Sequence, residues 1–437
     1  MKKTVMWAIA GVLLICMMSG TALAEVGLET KAKDKKGFRL GIVHIHPALA
    51  VSTMYDTNVQ NTNDNTVSDL SLDVNGGVKL NIPHDIASFT LAGGIGYLKY
   101  FGIDNSRTTD LDSLEGNGRL ALQFLRKSIV TFGLSDTVVR TTLPEGVTIF
   151  DLQKRINNTA RANVGIQPNG AAGNLKVNLG YAFDLQRYDD AAYQNNNFMA
   201  HEVTAQVSWA FLPKTAVFLA GSYRYTDFYD FTAGQSPLYQ QSPNASPIEV
   251  KLGLIGRLSP MVSINLYVGY ANNLAENLEN YHSANAKAEG VFQFLRRTRM
   301  KLGFVRSSRP VTVYGYMAGN KAYLEFQQWA FNDRFRFTVN GSYEYQQFGE
   351  LDPVIFTSAQ AGQITGLQGQ DRSDHVIRAE TSVGFYVTEW FSIAVAYKFM
   401  MRDSSIDTFQ VTVNNVAIDQ NYDFMKHQAM LNLRLSY

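Results

Sequence analysis

The sequence predicts an all-β chain that folds as a transmembrane, antiparallel up-and-down β-barrel of about 18 strands. Three observations predict this fold class. Apolar and polar residues alternate along most of the chain, the connections between alternating segments are short and long in turn, and the final segment alternates up to an aromatic last residue. Together they indicate short periplasmic turns, long extracellular loops and a closed sheet.

The N-terminal segment predicts secretion. Met1-Lys2-Lys3 precedes an apolar run over 5–18, and Ala22-Leu23-Ala24 offers a small-x-small cleavage site. The run is roughly 14 residues, shorter than the 18 or more that a spanning helix needs. We therefore predict a Sec signal peptide over 1–24, a periplasmic lead-in over 25–40 and the barrel over 41–437. The single cysteine, Cys16, lies in the apolar run, so the predicted mature chain excludes disulfide and thiol chemistry.

Composition excludes other classes of protein. The net charge is +1 with both signs interspersed, which lacks the electrostatic footprint of a nucleic-acid binder. No second apolar stretch is long enough for a spanning helix, whereas Gly, Tyr and Phe are abundant, as in a large β protein. We expect the outer membrane of a Gram-negative bacterium as the location, with outer-membrane lipids and the barrel assembly machinery as partners and no nucleic acid.

Alternation with a period of two marks the strands. In 70–82 the residues Leu70, Leu72 and Val74 begin one face while Asp69 and Asp73 lie on the other. Segments 114–124, 175–185 and 335–345 repeat the pattern. The predicted strands lie near 42–55, 68–82, 87–101, 112–125, 129–142, 154–167, 174–187, 198–211, 215–227, 246–258, 261–272, 281–294, 299–308, 320–331, 335–346, 374–387, 391–401 and 424–437.

The connections fall into two length classes that alternate along the chain. The short ones are 83–85, 126–128, 212–214, 259–260, 295–297, 332–334 and 388–390, and the long polar ones are 56–67, 102–111, 188–197, 228–245, 347–373 and 402–423. Barrels of the outer membrane are built with short periplasmic turns and long external loops. An even number of strands places both ends of the barrel on the periplasmic side.

The last segment favours a barrel over a soluble β-sandwich, which also alternates. Leu431, Leu433, Leu435 and Tyr437 share one face with polar residues between them. They resemble the C-terminal signature that the outer-membrane assembly machinery reads, although Phe is the more usual last residue. We predict that these four residues form the assembly signal.

Charged residues on the polar face predict a hydrated lumen, because about 18 strands enclose more space than side chains fill. The basic residues are slightly more numerous, which indicates a slight preference for anions. A plugged or self-paired interior is the alternative, and loop 347–373 could fold inward as a constriction or remain an exposed loop. The candidate lumen-lining residues are Asp73, Lys79, Glu115, Arg119, Arg161, Lys176, Glu202, Arg224, Lys251, Arg257, Lys287, Glu289, Arg336, Glu344, Arg378, Glu380, Lys398 and Arg434.

The sequence offers no catalytic residue, metal site or cofactor. His44 and His46 lie two apart on one strand face, as metal ligands can, but no third ligand is evident. Gly-x-Ser-x-Gly, His-Glu-x-x-His and Walker-type motifs are absent. We therefore expect a protein that is not an enzyme.

The first predicted hairpin carries a family resemblance. Pro47-Ala48-Leu49 leads through the strand to Tyr55-Asp56-Thr57-Asn58, and this resembles the opening of the Putative beta-barrel porin 2 family, in which a Pro-x-Leu strand leads to a Tyr-Asp-x-Asn turn. Members are often associated with exopolysaccharide production. The resemblance implies an outer-membrane conduit for a secreted polymer, with periplasmic polysaccharide-export proteins as partners. It also implies that Tyr55, Asp56 and Asn58 shape the first external turn and perform no chemistry.

Three functions from different classes remain open at this point. The first is a channel that exports exopolysaccharide or a similar hydrophilic polymer. The second is a general diffusion porin for small solutes, and the third is a surface structural or adhesin barrel whose loops do the work. Mixed charges on the polar face do not decide between the first two.

Overall fold

A computed structural model describes residues 37–63, 66–142, 154–170, 173–190, 194, 196–230, 244–276, 280–311, 315–349, 364–365, 371–406, 409–413, 416–420 and 422–437. The predicted signal peptide, the lead-in as far as residue 36 and most of the candidate constriction loop 347–373 lie outside these residues. Within them, no helix has the length and apolar character needed to cross a membrane.

Eighteen antiparallel strands close into a barrel in the described part of the chain. Each pairs with its neighbour in sequence, and the last pairs with the first through Leu49 with Leu435 and Val51 with Leu433. The barrel strands are all of the following except β1, β17, β20 and β21. In chain order the strands are β1 (Phe38–Leu40), β2 (Val43–Asp56), β3 (Asp69–Ile82), β4 (Ala87–Tyr100), β5 (Ser113–Phe124), β6 (Val130–Thr141), β7 (Arg155–Ile166), β8 (Leu175–Tyr188), β9 (Phe198–Leu212), β10 (Thr215–Asp227), β11 (Ile248–Arg257), β12 (Val262–Asn272), β13 (His282–Leu295), β14 (Thr298–Val311), β15 (Gly315–Ala330), β16 (Phe335–Phe348), β17 (Ile364–Thr365), β18 (Ser373–Tyr386), β19 (Phe391–Ser404), β20 (Phe409–Val413), β21 (Val416–Gln420) and β22 (Phe424–Ser436).

Every predicted strand corresponds to one barrel strand, and the largest boundary errors lie between β14 and β15. These strands extend to Val311 and from Gly315, whereas the sequence predicted ends near 308 and 320. Here the outward positions Ser308, Pro310 and Ala318 are not large apolar residues. Pairing therefore continues past the point at which the outer face needs to be apolar, and alternation alone stops too early.

The long connections contain regular structure that the sequence analysis did not anticipate. β20 and β21 form a hairpin, and β17 from the preceding connection pairs with β20, so that the three make a small separate sheet. A 3₁₀ helix, Ser106–Leu111, lies in the connection between β4 and β5. The sequence signal for the hairpin was present: two runs rich in Val, Ile and Thr flank two asparagines.

The end of the predicted lead-in is part of the sheet. β1 pairs with the start of β2, with Phe38 opposite Ile45, and Gly41 in the turn adopts a φ of 62°, which suits glycine. The Phe38 ring lies 4.8 Å from the ring of Tyr437. β1 thus occupies the edge of β2 beyond the end of β22.

Directly paired residues share a face of the sheet, so the register shows which residues lie on each of its two faces. Val51, Val74, Tyr97 and Leu114 form one such row, and the last three are largely exposed apolar side chains. This apolar face is the outside of the cylinder, because a spanning barrel presents its apolar band to lipid. The opposite, polar face is the inside. The short turns mark the periplasmic end and the long connections the extracellular end.

Candidate functional site

All eighteen candidate lumen-lining residues lie on the inner face of the barrel. The register gives this directly: Asp73 pairs with Ser52 and Leu98, and Lys79 pairs with His46 and Ala92, all on the side opposite the exposed apolar row. The same alternation holds for the other candidates on their strands. That this face carries a solute path stays a prediction.

Ion pairs neutralise the middle and extracellular parts of the inner face. Arg224 on β10 reaches Asp184 at 2.6 Å and Glu202 at 3.5 Å, while Arg378 lies 3.3 Å from Glu344. Further pairs on this wall are Lys251–Glu249, Lys287–Glu289 and Lys301–Glu325. Asp184, Glu249, Lys301 and Glu325 were not among the candidates, although the alternation of their strands places them on this face.

Two tyrosines give the paired part of the wall an aromatic surface. The Tyr323 ring packs directly over Gly303, where the Cβ of any larger residue would clash with it. The Tyr323 hydroxyl donates to Glu289, and Lys301 Nζ lies 5.8 Å from the ring centroid. Lys251 Nζ lies 5.2 Å from the centroid of Tyr267. The wall thus combines flat ring faces with cations whose charge is balanced.

The periplasmic end of the inner face is basic. Lys176 and Arg299 are the second residues of β8 and β14, counted from the periplasm, and Arg434 is the third from the end of β22. Lys79, Arg119 and Arg161 lie in the periplasmic halves of their strands. Throughout the described residues, no carboxylate lies within ion-pair distance of any of these six side chains. We call Lys79, Arg119, Arg161, Lys176, Arg299 and Arg434 the basic vestibule.

Two further candidates at the periplasmic end have partners. Arg257 donates to the backbone oxygens of Ser259 and Pro260 at 3.2 and 2.5 Å, and Arg336 lies 5.6 Å from the ring centroid of Trp329. The inner-face carboxylates lie in the middle of their strands or nearer the extracellular end, except Glu325, which pairs with Lys301 at 2.6 Å. The positive potential is therefore concentrated at the periplasmic side.

At the extracellular end, two residues of the first-hairpin motif join the first strand to the last. Asp56 accepts hydrogen bonds from Asn58 N at 2.9 Å, Lys426 Nζ at 2.9 Å and Gln428 Nε2 at 2.8 Å. The fully buried Asn58 donates to the backbone oxygens of Thr62 at 2.6 Å and Met425 at 3.1 Å. These contacts fix both the turn and the seam of the cylinder.

The third residue of the motif, Tyr55, lies on the outer face and is 44 % exposed. Sequence reasoning had no signal for the seam contacts, because their partners lie more than 360 residues away along the chain.

Buried polar side chains fix the other connections where they leave the barrel. Asp69 accepts from Gly102 N at 3.0 Å, Ile103 N at 3.1 Å and Thr108 Oγ1 at 2.6 Å. Four strands away around the barrel, Arg372 forms a two-point hydrogen bond with Asp374 of β18 at 2.9 and 2.6 Å. These groups pack the extracellular mouth, whereas the basic vestibule remains accessible.

The histidines do not form a metal site in the part of the chain that the structure covers. His44 and His46 lie on the inner face of β2, and no group of three or more His, Cys, Asp or Glu side chains among the described residues could hold a metal ion. His201, His375 and His427 lie on the outer face, where each Nδ1 is 2.7 Å from a tyrosine hydroxyl.

The periplasmic turns carry an ion pair, in which Lys127 donates to Asp85 at 3.1 Å and lowers the pKa of that carboxyl.

Comparison with known proteins gives one family. The family model described as Putative beta-barrel porin 2 matches residues 31–423. No curated protein gives a significant sequence match.

Solved structures with a similar shape include the siderophore receptor PirA from Pseudomonas aeruginosa, at 8 % identity, 90 % coverage of this chain, 80 % of that chain and a TM-score of 0.45. OccAB4 from Acinetobacter baumannii has 12 % identity, with 90 % and 98 % coverage and a TM-score of 0.45. The FrpB iron transporter from Neisseria meningitidis has 8 % identity, with 90 % and 81 % coverage and a TM-score of 0.46.

Proposed function

The chain belongs to the Putative beta-barrel porin 2 family, and from this premise we propose that it conducts a hydrophilic polymer, an exopolysaccharide in the first instance, out of the cell. It is an outer-membrane β-barrel channel of porin type from a Gram-negative bacterium. The finer proposal concerns what passes through it and in which direction. No catalytic step is part of the proposal.

The observation that carries the proposal is the basic vestibule. Six cations without carboxylate partners among the described residues line the inner face from mid-height to the periplasmic opening, and charges of one sign at a mouth concentrate ligands of the opposite sign. A polymer bearing carboxylate or phosphate groups would be attracted from the periplasm into the barrel. An entry site on this side suits export.

The middle of the wall supports passage after capture. Several of its cations are paired with carboxylates, as in Arg224 with Asp184. In the register, Lys321 and Lys398 lie opposite Glu344 and Glu380. An anionic chain would therefore meet little net charge beyond the vestibule. The rings of Tyr267 and Tyr323 add flat apolar surfaces on which a sugar ring could rest while its hydroxyls bond to the neighbouring charges. A channel wall that binds the polymer weakly at several points favours its movement through the barrel over its retention.

Periplasmic polysaccharide-export proteins are the proposed partners, because an export channel needs a supply of polymer on its basic side. The barrel assembly machinery is the proposed insertion partner, with Leu431, Leu433, Leu435 and Tyr437 as its recognition signal. Leu431, Leu433 and Leu435 lie on the outer face of β22, where they pair with β19 and β2, and Tyr437 follows the end of β22 and donates a backbone hydrogen bond to Pro47.

Uptake into proteoliposomes tests the channel directly. The purified barrel is reconstituted, and entry of neutral glucose oligomers is compared with that of galacturonic acid oligomers of equal length. We expect faster entry of the acidic series. Lys79→Gln/Arg119→Gln/Arg161→Gln/Lys176→Gln should remove this difference, while the control Lys127→Gln, which changes a paired cation on a periplasmic turn outside the lumen, should keep it. Equal, size-limited entry of both series would identify a general diffusion porin and overturn the proposal.

Deletion of the gene tests the physiological role. We expect loss of cell-surface polysaccharide, restored by the wild-type chain and restored poorly by the fourfold vestibule variant at equal abundance in the outer membrane. Unchanged surface polysaccharide in the deletion strain would exclude polymer export. A loss of cell adhesion with normal polysaccharide would support a surface adhesin instead.

A further inference from the structure

The outer wall between β13 and β16 contains a depression of about 540 Å³, within the range of roughly 300–1,000 Å³ that ligand sites occupy. Its floor is made of small residues, Ala288, Ala322 and Gly341, and Ala322 lies between the larger side chains of Phe304 and Tyr343. The register explains the shape. Phe304 pairs with Ala322, and Ala322 pairs with Tyr343, so a small residue separates two rings in one row across three strands.

A row of polar side chains borders this depression on its extracellular side. This row is the next outward-facing row on the extracellular side of Phe304, Ala322 and Tyr343. In it, Arg306 pairs with Asn320, Asn320 with Tyr345, and Tyr345 with His375. Arg306 is the ninth of the fourteen residues of β14, counted from the periplasmic end. The row therefore lies in the extracellular half of the wall, with the apolar depression on its side toward the bilayer centre.

The charge of Arg306 is not balanced by a carboxylate among the described residues. Its Nη1 donates to Asn320 Oδ1 and its Nε to the backbone oxygen of Ala284, both at 3.1 Å, and these acceptors are neutral. The acidic residue in the same row, Asp403, lies opposite His375 on β19. At about 4.8 Å between strands it is about 19 Å from Arg306 across the sheet. A cation on a lipid-facing wall without a counter-charge indicates an anionic partner.

We propose that this site binds one phosphate-bearing, acylated lipid of the outer leaflet. An acyl chain would lie in the depression over Ala322 and Gly341, and the phosphate would accept hydrogen bonds from the Arg306 guanidinium at its extracellular edge. A guanidinium suits a phosphate, because its N–H groups can bond to two of the phosphate oxygens at once. The site is on the outside of the barrel, so it does not depend on the proposed transport function.

Native mass spectrometry of the full chain in a non-ionic detergent tests the site. The probes are dipalmitoyl phosphatidic acid, dipalmitoylglycerol and inorganic phosphate. We expect one saturable phosphatidic acid, with binding weaker by at least tenfold for the two probes that lack either the phosphate or the chains. Arg306→Gln should weaken phosphatidic acid binding about tenfold, the effect of losing one charge-assisted hydrogen bond of roughly 1.5 kcal/mol. Ala322→Phe should fill the depression and weaken binding without removing charge.

His427→Phe is the matched control. His427 is an outer-face histidine whose Nδ1 lies 2.7 Å from the Tyr397 hydroxyl, and it lies on β22, away from Arg306 and the depression. This variant should bind phosphatidic acid as the wild type does, and heat-modifiable migration on gels should show that every variant is folded. Equal binding of dipalmitoylglycerol, or unchanged binding by both Arg306→Gln and Ala322→Phe, would overturn the proposal. A dimer that the Ala322→Phe variant abolishes would instead assign the depression to a second copy of the chain.

Discussion

Asn158 Nδ2 donates a 2.8 Å hydrogen bond to Asp136 Oδ1 on the lipid-facing wall of the barrel. Asp136 lies two residues beyond the exposed Leu134 and pairs with Leu120 and Ala160, which places it on the outer face. It is the seventh of the twelve residues of β6, so the carboxyl lies near mid-height in that strand. Polar side chains in this position are costly, and a partner on the neighbouring strand reduces the cost.

Removing only the partner should destabilise the barrel. We expect Asn158→Leu to lower the free energy of unfolding by about 1–3 kcal/mol, because Asp136 would lose a hydrogen bond in an apolar environment. Replacing both residues, in Asp136→Leu/Asn158→Leu, should be neutral or raise stability by about 1 kcal/mol, since two apolar side chains suit the lipid-facing wall better than a polar pair.

Urea titration in phosphatidylcholine vesicles, followed by tryptophan fluorescence, measures both changes. Val138→Leu, an apolar exchange at an outward position of the same strand, serves as the control and should change little. A double variant that is less stable than Asn158→Leu alone would contradict this account, and would mean that the pair has a partner other than lipid.

The seam contacts of the first hairpin should be important for stability. Asn58→Ala removes a buried side chain that bonds to the backbone of Thr62 and Met425, so we expect a loss of about 2–3 kcal/mol. The temperature at which the folded band disappears on gels should fall. Asn169→Ala, at an exposed periplasmic turn, should leave that temperature unchanged. An equal fall in both variants, or in neither, would argue against a specific role for the seam.

The buried pair of Arg372 and Asp374 should fix the extracellular mouth. Asp374→Ala would leave Arg372, 1 % exposed, and the neighbouring Arg402 without their carboxylate, at a cost of about 3–5 kcal/mol. We expect faster proteolysis of the extracellular connections on intact cells, while the barrel core stays resistant. Asp403 lies on the same strand as Arg402 but on its outer face, so Asp403→Ala is the control and should be cleaved like the wild type. Unchanged cleavage in Asp374→Ala would exclude this anchoring role.

Alternation predicted the barrel and the face of each residue, because both follow from the period of two and need no knowledge of distant contacts. It could not predict Asp136, an outward carboxyl within an otherwise apolar row, since its compensation comes from Asn158 on the next strand. It also could not predict that Asp56 bonds to Lys426 or that Tyr323 rests on Gly303, because these depend on strand register. For the basic vestibule, the position of each cation in its strand gives its height, but the lack of carboxylate partners depends on the register and could not be predicted.

Ionic strength should control the selectivity of the channel if the basic vestibule attracts anions through open water. The Debye length falls from about 10 Å at 0.1 M salt to about 3 Å at 1 M. In the wide lumen of an 18-stranded barrel, the vestibule cations therefore act on a passing ion only in dilute salt. We expect the chloride-to-potassium permeability ratio, from reversal potentials in planar bilayers, to be above one at 0.1 M and to approach one at 1 M. The fourfold vestibule variant should give a ratio near one at both salt concentrations, because the lumen has lost four of the six vestibule cations, whereas Lys127→Gln, on a periplasmic turn, should follow the wild type. A wild-type ratio that does not change with salt would place the selecting charges in a narrow constriction instead of at the periplasmic mouth.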